Sequence, residues 1–354
     1  MDRKDEIIQQ QNEIMQDLLQ KQFQSLADDF WGLKNQIDKG GKTEPEKTEQ
    51  TTPAPKKAEE KKSAPEAKAK EPEETIEDLK AELHSYIGLE VIKDQVDSLI
   101  NWINVMKLRR EQDLPVPDMS LHMVFTGNPG TGKTMIARLM ARIFKALGLL
   151  SKGHLTETDR SGLVAGFVGQ TAIKTQEVIT KALGGVLFID EAYALTNRGG
   201  TDYGQEAVDT LLKGMEDHRD DLIVIVAGYT DLMKEFIESN PGLESRFNRY
   251  LHFPDYSLEE LVNIFLMRCE KSGYTLIDSA RPVLEAILKD RMRDVEGFGN
   301  ARGARNLFEA AIARQADRLA KEENITREAL MTLTEADLNA AAGIVRQPEE
   351  PEPC

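Results

Sequence analysis

Gly127-Asn128-Pro129-Gly130-Thr131-Gly132-Lys133-Thr134 is the stretch that decides the fold of this chain. It fits the pattern G-x-x-x-x-G-K-[ST]. Glycines let successive backbone N–H groups wrap an anion, and a helix starting beyond them adds the positive end of its dipole. Lys133 is then placed to reach the β- and γ-phosphates of a nucleotide, and Thr134 to put its hydroxyl on Mg²⁺. The surroundings are those the pattern needs. LHMVFT (121–126) reads as a buried strand just before it. Just after it, Ile136, Leu139, Met140, Ile143 and Leu147 share one face of a helix that Gly148 stops.

Working outward, VLFID (186–190) and LIVIVA (222–227) are continuous apolar runs, the kind found in parallel sheets covered on both faces. YLHF (250–253) is a weaker strand, and helices are expected at 171–182 and 205–216. The β/α alternation predicts an open α/β sheet with helices on both sides. Asp190 and Glu191 fall at the C-terminal end of a strand, where ligands bind in such sheets. Asp190 can hold Mg²⁺ through its water shell, and Glu191 can polarise an attacking water.

After Asp255 the strand pattern stops. Ser257 and Glu260 form a capping box before Leu261, Val262 and Phe265. Further helices are expected near 282–292, 303–321 and 335–345, the last with Thr334 and Asp337 as its box. The division expected is a nucleotide-binding α/β domain at 76–255, a small all-helical domain at 256–346 and an acidic tail at 347–354.

Ahead of these lies a different kind of chain. Leu19, Phe23, Leu26, Phe30, Leu33 and Ile37 lay one apolar stripe along a helix expected over 1–40. The stripe suits a short coiled coil, a docking surface or packing on the chain's own globular part. From Asp38 to Thr75 there is no Val, Ile, Leu, Met, Phe, Tyr or Trp. Residues 41–75 therefore read as a disordered, mixed-charge linker that buries too little apolar surface to offset its ordering entropy.

The 354 residues carry 45 Lys and Arg against 61 Asp and Glu, a net charge of −16. That balance argues against a general nucleic-acid binder, although a local basic groove stays compatible with it. Cys269 and Cys354 are too few for a disulfide framework or a cysteine-based zinc site. Cys269 reads as a small core residue. The five histidines, His84, His122, His154, His218 and His252, show no metal-ligand spacing. The start MDRKDEIIQQ has no apolar core behind a basic opening, and no apolar run could span a bilayer. A soluble cytoplasmic protein with no membrane partner is the expectation.

GNPGTGKT and VLFIDEAYAL together resemble the AAA+ ATPases, and within them the CbbX and stage V sporulation protein K group. The likeness runs from about Glu77 to Val345. SYIGLEVIKDQV (85–96) resembles the family's entry segment, which implies that the Ile87-Gly88 backbone meets an adenine. VAGFVGQTAIKT (164–175) resembles the loop that faces a central pore, with Phe167, Val168 and Gly169 at its tip. SNPGLESRF (239–247) resembles the arginine-finger segment, which implies that Arg246 acts in trans, with Arg249 as second candidate. GNARGARNL (299–307) resembles the start of the sensor helix in the lid domain, which implies that Arg302, or Arg305, contacts the γ-phosphate. Many AAA+ proteins place a polar sensor, often Asn, after the fourth strand. Here Ala227-Gly228-Tyr229-Thr230 stands instead, and either Tyr229 or Thr230 could serve.

The resemblance implies a P-loop fold with a helical lid, ATP and Mg²⁺ as cofactors, and the whole loop Gly127, Asn128, Pro129, Gly130, Thr131, Gly132, Lys133 and Thr134 as the nucleotide cradle. It implies a ring, a homo-hexamer, that remodels or threads a protein client. Physical reasoning keeps Phe167 in view independently, since an aromatic between glycines grips many surfaces without sequence preference. The competing expectations are a nucleic-acid-directed loader or helicase and a nucleotide-gated scaffold.

Overall fold

The computed structural model describes residues 74–117, 120–167, 169–196 and 203–343. The helix expected over 1–40, the linker as far as residue 73, Val168 and the tail at 347–354 lie outside the described residues.

Thr75, read from sequence as the last linker residue, is the N-cap of α1 (Ile76–Ser85). It forms a reciprocal capping box with Asp78. A turn through two left-handed residues, Gly88 and Leu89, leads into α2 (Glu90–Glu111). The α/β part then alternates as expected: β1 (Met123–Thr126), α3 (Lys133–Ala146), β2 (Leu155–Thr158), α4 (Gln170–Ala182), β3 (Val186–Ile189), α5 (Gly204–Asp217), β4 (Ile223–Gly228), α6 (Thr230–Glu238), α7 (Pro241–Arg246) and β5 (Arg249–His252). The strands form one parallel sheet in the order β2-β3-β4-β1-β5. Met123 of β1 lies opposite Ile225 on one side and Arg249 on the other.

Alternate residues of each strand point to opposite faces, and both faces are covered. Phe125, Phe188 and Ile225 pack with α1, α2 and α3 in a core that continues into the helical region. Val124, Leu187 and Val226 pack with α4, α5 and α6 in a second core. This double coverage is why β1, β3 and β4 read as unbroken apolar runs. β5 is an edge strand with only Leu251 buried, which explains its weaker pattern. The other edge, β2, has the sequence LTET and no fully buried residue, so hydrophobic patterning gave no sign of it.

Beyond Asp255 come α8 (Leu258–Lys271), α9 (Arg281–Arg291), α10 (Asn300–Leu319) and α11 (Glu335–Ala341). The capping boxes Ser257–Glu260 and Thr334–Asp337 are both present. Phe308 receives Phe265 and Tyr274 edge-on at 5.7 and 5.9 Å between ring centres. Cys269 is buried in α8, where burial pushes its thiol up to about 12. The expectation that strands end at Asp255 needs one correction. Thr275–Leu276 and Thr332–Leu333 form a two-residue parallel pair, too short to leave a periodicity in the sequence. The third long helix also begins at Asn300 rather than near 303, which brings its first turn down to the glycine-rich loop.

Candidate active site

Parallel strands deliver their C-terminal ends to one edge of the sheet. β1 ends in the loop that starts at Gly127, β3 in Asp190 and Glu191, and β4 in Gly228 and Tyr229. These ends and the first turns of α3 and α10 enclose a cleft of about 320 Å³. Gly127, Pro129, Gly130, Gly132, Lys133, Thr134, Asp190, Glu191, Tyr229, Arg302 and Arg305 all line it.

The loop takes left-handed turns at Gly127, Gly130 and Gly132, and α3 starts directly after Gly132. Gly130 is held closest. A Cβ there would lie 2.1 Å from the Gly299 carbonyl oxygen, on backbone that cannot step aside. Lys133 Nζ donates to the Gly127 and Asn128 carbonyls at 2.7 and 2.8 Å. Burial draws the Lys133 ammonium below the usual lysine range, Asp190 opposing that and Arg302 adding to it. Asp190 Oδ1 accepts from the Glu191 N–H at 3.1 Å. Glu191 has φ +49°, a left-handed conformation uncommon outside glycine and a recognised mark of functional sites.

Arg268 of α8, Arg302 and Arg305 join Lys133 around the cleft, against the carboxylates of Asp190 and Glu191. Arg305 is engaged by Glu309 one turn along its own helix, at 2.6 Å. Arg302 makes no ion pair among the described residues. The excess of cations suits a polyanion, and the low-lying glycine loop suits phosphate groups in particular. Of the two sensor candidates, Tyr229 lines the cleft, while Thr230 is exposed at the start of α6.

Other sequence-predicted residues lie elsewhere. Asn128 turns to Asp255, its Nδ2 donating to both carboxylate oxygens at 2.9 and 3.0 Å. Thr131 is fully buried and donates back to the Asn128 carbonyl. Ile87 and Gly88 do not line the cleft; Gly88 abuts Glu260 and Tyr256 at the base of the helical part. Arg246 and Arg249 do not line it either. Arg246 pairs with Glu216 of α5 at 3.1 Å, and its buried Nε has no partner among the described residues. Arg249 lies over the Trp102 ring, 4.7 Å from its centre, and donates to the Ser120 carbonyl. Phe167 is 72% exposed, and Gly169 opens α4.

Sequence reasoning missed Arg268, which sits on the exposed side of α8 with no nucleotide-binding motif around it. It also missed Asp255 and Asn300, whose side chains brace the loop from outside. The signal for Asn300 was available in its place after Gly299, since Asn is among the few residues that tolerate a left-handed conformation.

Comparison with known proteins identifies the two parts of the chain. Residues 123–255 match the model of the ATPase family associated with various cellular activities, and 257–348 match an AAA lid domain. The chain is 42% identical to stage V sporulation protein K of Bacillus subtilis over 75% of its own length and 83% of that protein. It is 44% identical to protein CbbX of Cereibacter sphaeroides, over 76% and 86% respectively. A chloroplastic ribulose bisphosphate carboxylase/oxygenase activase of Cyanidioschyzon merolae is 43% identical, over 75% and 89%. Among solved structures, the FIGL-1 AAA domain shares the fold with a TM-score of 0.51 at 19% identity, covering 75% of this chain and 84% of that one.

Proposed function

The chain belongs to the AAA family and is an ATPase, and from that premise we propose that it works as a ring of like protomers, a homo-hexamer, that remodels a protein client. One observation carries the ring. The cleft gathers Lys133, Thr134, Asp190 and Glu191 with the lid arginines, yet Arg246 and Arg249 are held away from it on the same chain. An arginine that stabilises phosphoryl-transfer charge from there must serve a neighbour's nucleotide.

Lys133 draws charge from the β- and γ-phosphates. Glu191, set by its left-handed backbone at the end of β3, orients and polarises the attacking water. Arg302 reads the γ-phosphate, because Arg305 is already engaged by Glu309. Mg²⁺ suits the donor set at Thr134 and Asp190, a hydroxyl and a carboxylate. Mg²⁺ is commonly held by one or two protein oxygens together with substrate phosphates, which these two side chains could provide. The ion would neutralise phosphate charge there. Phe167, exposed beside Gly166 and Gly169, is the gripping residue. The client is a protein, in keeping with the activase relative named above.

Mixing variants tests the shared site. Arg246→Ala and Glu191→Gln are each expected to be nearly inactive alone. Mixed, they should regain hydrolysis, because a Glu191→Gln protomer still offers Arg246 to an Arg246→Ala neighbour. Rates that merely average the two inactive samples would sink the trans assignment.

A further inference from the structure

The four carbonyls from Gly127 to Gly130 are all engaged. Lys133 holds those of Gly127 and Asn128, and Thr131 also donates to that of Asn128. The next two are held from the lid. Asn300 Nδ2 donates to the Pro129 carbonyl at 3.3 Å, and the Ala301 N–H donates to the Gly130 carbonyl at 3.2 Å. Asn300 does more than touch the loop. Its Nδ2 also donates to Asp255 Oδ1 at 2.9 Å, and its Oδ1 accepts the Tyr256 N–H at 3.0 Å. Asp255 in turn accepts from Asn128. Loop, inter-domain joint and lid helix thus meet on one side chain that is only 5% exposed and sits at φ +52°.

We infer that Asn300 is a positioning residue: it fastens the lid's long helix to the glycine loop, so that lid docking sets the direction of the loop's N–H groups. In a trans peptide the C=O and the following N–H point in opposite directions. Pinning the Pro129 and Gly130 carbonyls therefore fixes the N–H groups of Gly130 and Thr131. Arg302 is two residues beyond Asn300 and takes its position from the same anchor. The lid consequently cannot swing freely about residues 255–256; a change in its angle is felt by the phosphate cradle, and the reverse. A buried amide with each bond partner satisfied is well suited to such a joint, since losing one partner strands polar groups away from water.

The inference rests on the cleft being an ATP site, and the test separates the two. Binding of ADP and ATP is measured for the full chain and for Asn300→Asp, Asn300→Gly and the exchange Asp255→Asn/Asn300→Asp. Asp tolerates the left-handed backbone and still accepts from Tyr256, but it cannot donate to Pro129 and it repels Asp255. Gly keeps the backbone and removes the side chain. Both single variants should bind ADP and ATP about tenfold more weakly, since the cradle meets phosphates common to both nucleotides, with KM rising more than kcat falls. The exchange restores a donor–acceptor pair between positions 255 and 300 but no donor to the Pro129 carbonyl, so it should regain the parent's melting temperature while still binding as weakly as Asn300→Asp. Single variants that bind within about twofold of the parent overturn the inference alone. So does an exchange variant that binds both nucleotides like the parent, since it lacks the donor to the Pro129 carbonyl. A parent chain that binds neither nucleotide overturns the ATP-site assignment itself.

Discussion

Lys133, Thr134, Asp190 and Glu191 were legible as single residues because their chemistry dictates their neighbours: glycines before the lysine, an apolar strand before the acids. His122 was not. It carries no motif, and only the folded chain shows what it does. Just ahead of β1, its Nδ1 accepts the Val224 N–H of β4 at 3.0 Å, and the residue is 7% exposed. Burial, reinforced by nearby Arg246, pulls its pKa down to about 4 from an ordinary 6.5. A depressed pKa means that the unfolded chain binds the proton first. The stability is present above pH 6.5 and is lost as pH falls toward 4, by an amount of order 3 kcal/mol. His122→Asn keeps an acceptor for Val224 and removes the titration. Its urea midpoint, compared with the parent at pH 7 and pH 4.5, should fall distinctly less on acidification; equal slopes would show that His122 does not titrate this way.

At the scale of elements, glycines that lead into two different helices do different work. Gly130 and Gly169 both have positive φ, +74° and +77°. At Gly130 an added Cβ meets the Gly299 carbonyl at 2.1 Å, whereas at Gly169 it meets nothing within 4 Å. Gly169→Ala should cost only the left-handed penalty of about 1–2 kcal/mol and leave ATPase activity near the parent value. Gly130→Ala must separate the lid from the loop, and nucleotide binding should fall at least about tenfold, read by titration with ADP. Equal behaviour of the two variants would mean that the close approach at Gly130 is not needed. The elements themselves were legible in proportion to their burial. β1, β3 and β4 are covered on both faces and left plain apolar runs, while β2 and the two-residue pair Thr275–Leu276 with Thr332–Leu333 left none. Edge and miniature strands lean on backbone pairing, which nearly any side chain permits, so patterning shows them weakly, as at β5, or not at all, as at β2.

For the molecule as a whole, the trans role proposed for Arg246 would tie hydrolysis to assembly. Glu191→Gln held in ATP keeps the γ-phosphate in place, so it should elute as a larger species than the same variant in ADP. A single monomeric peak in saturating ATP would contradict the ring. The sequence alone determined the α/β sheet, the helical lid and the glycine loop with its acidic partners, because period, burial and phosphate chemistry each demand particular residue types at fixed spacing. Spacing alone could not determine which arginines face the cleft: the resemblance pointed to Arg302 or Arg305, and nothing pointed to Arg268. Arg302, Arg305 and Arg268 line it while Arg246 and Arg249 are drawn off by Glu216 and Trp102, and an arginine looks alike in sequence wherever it points. Nor could it show that Asn300 joins lid and loop. That contact unites residues 171 positions apart, and only the packing of the lid against the sheet's C-terminal edge brings them within reach of a hydrogen bond.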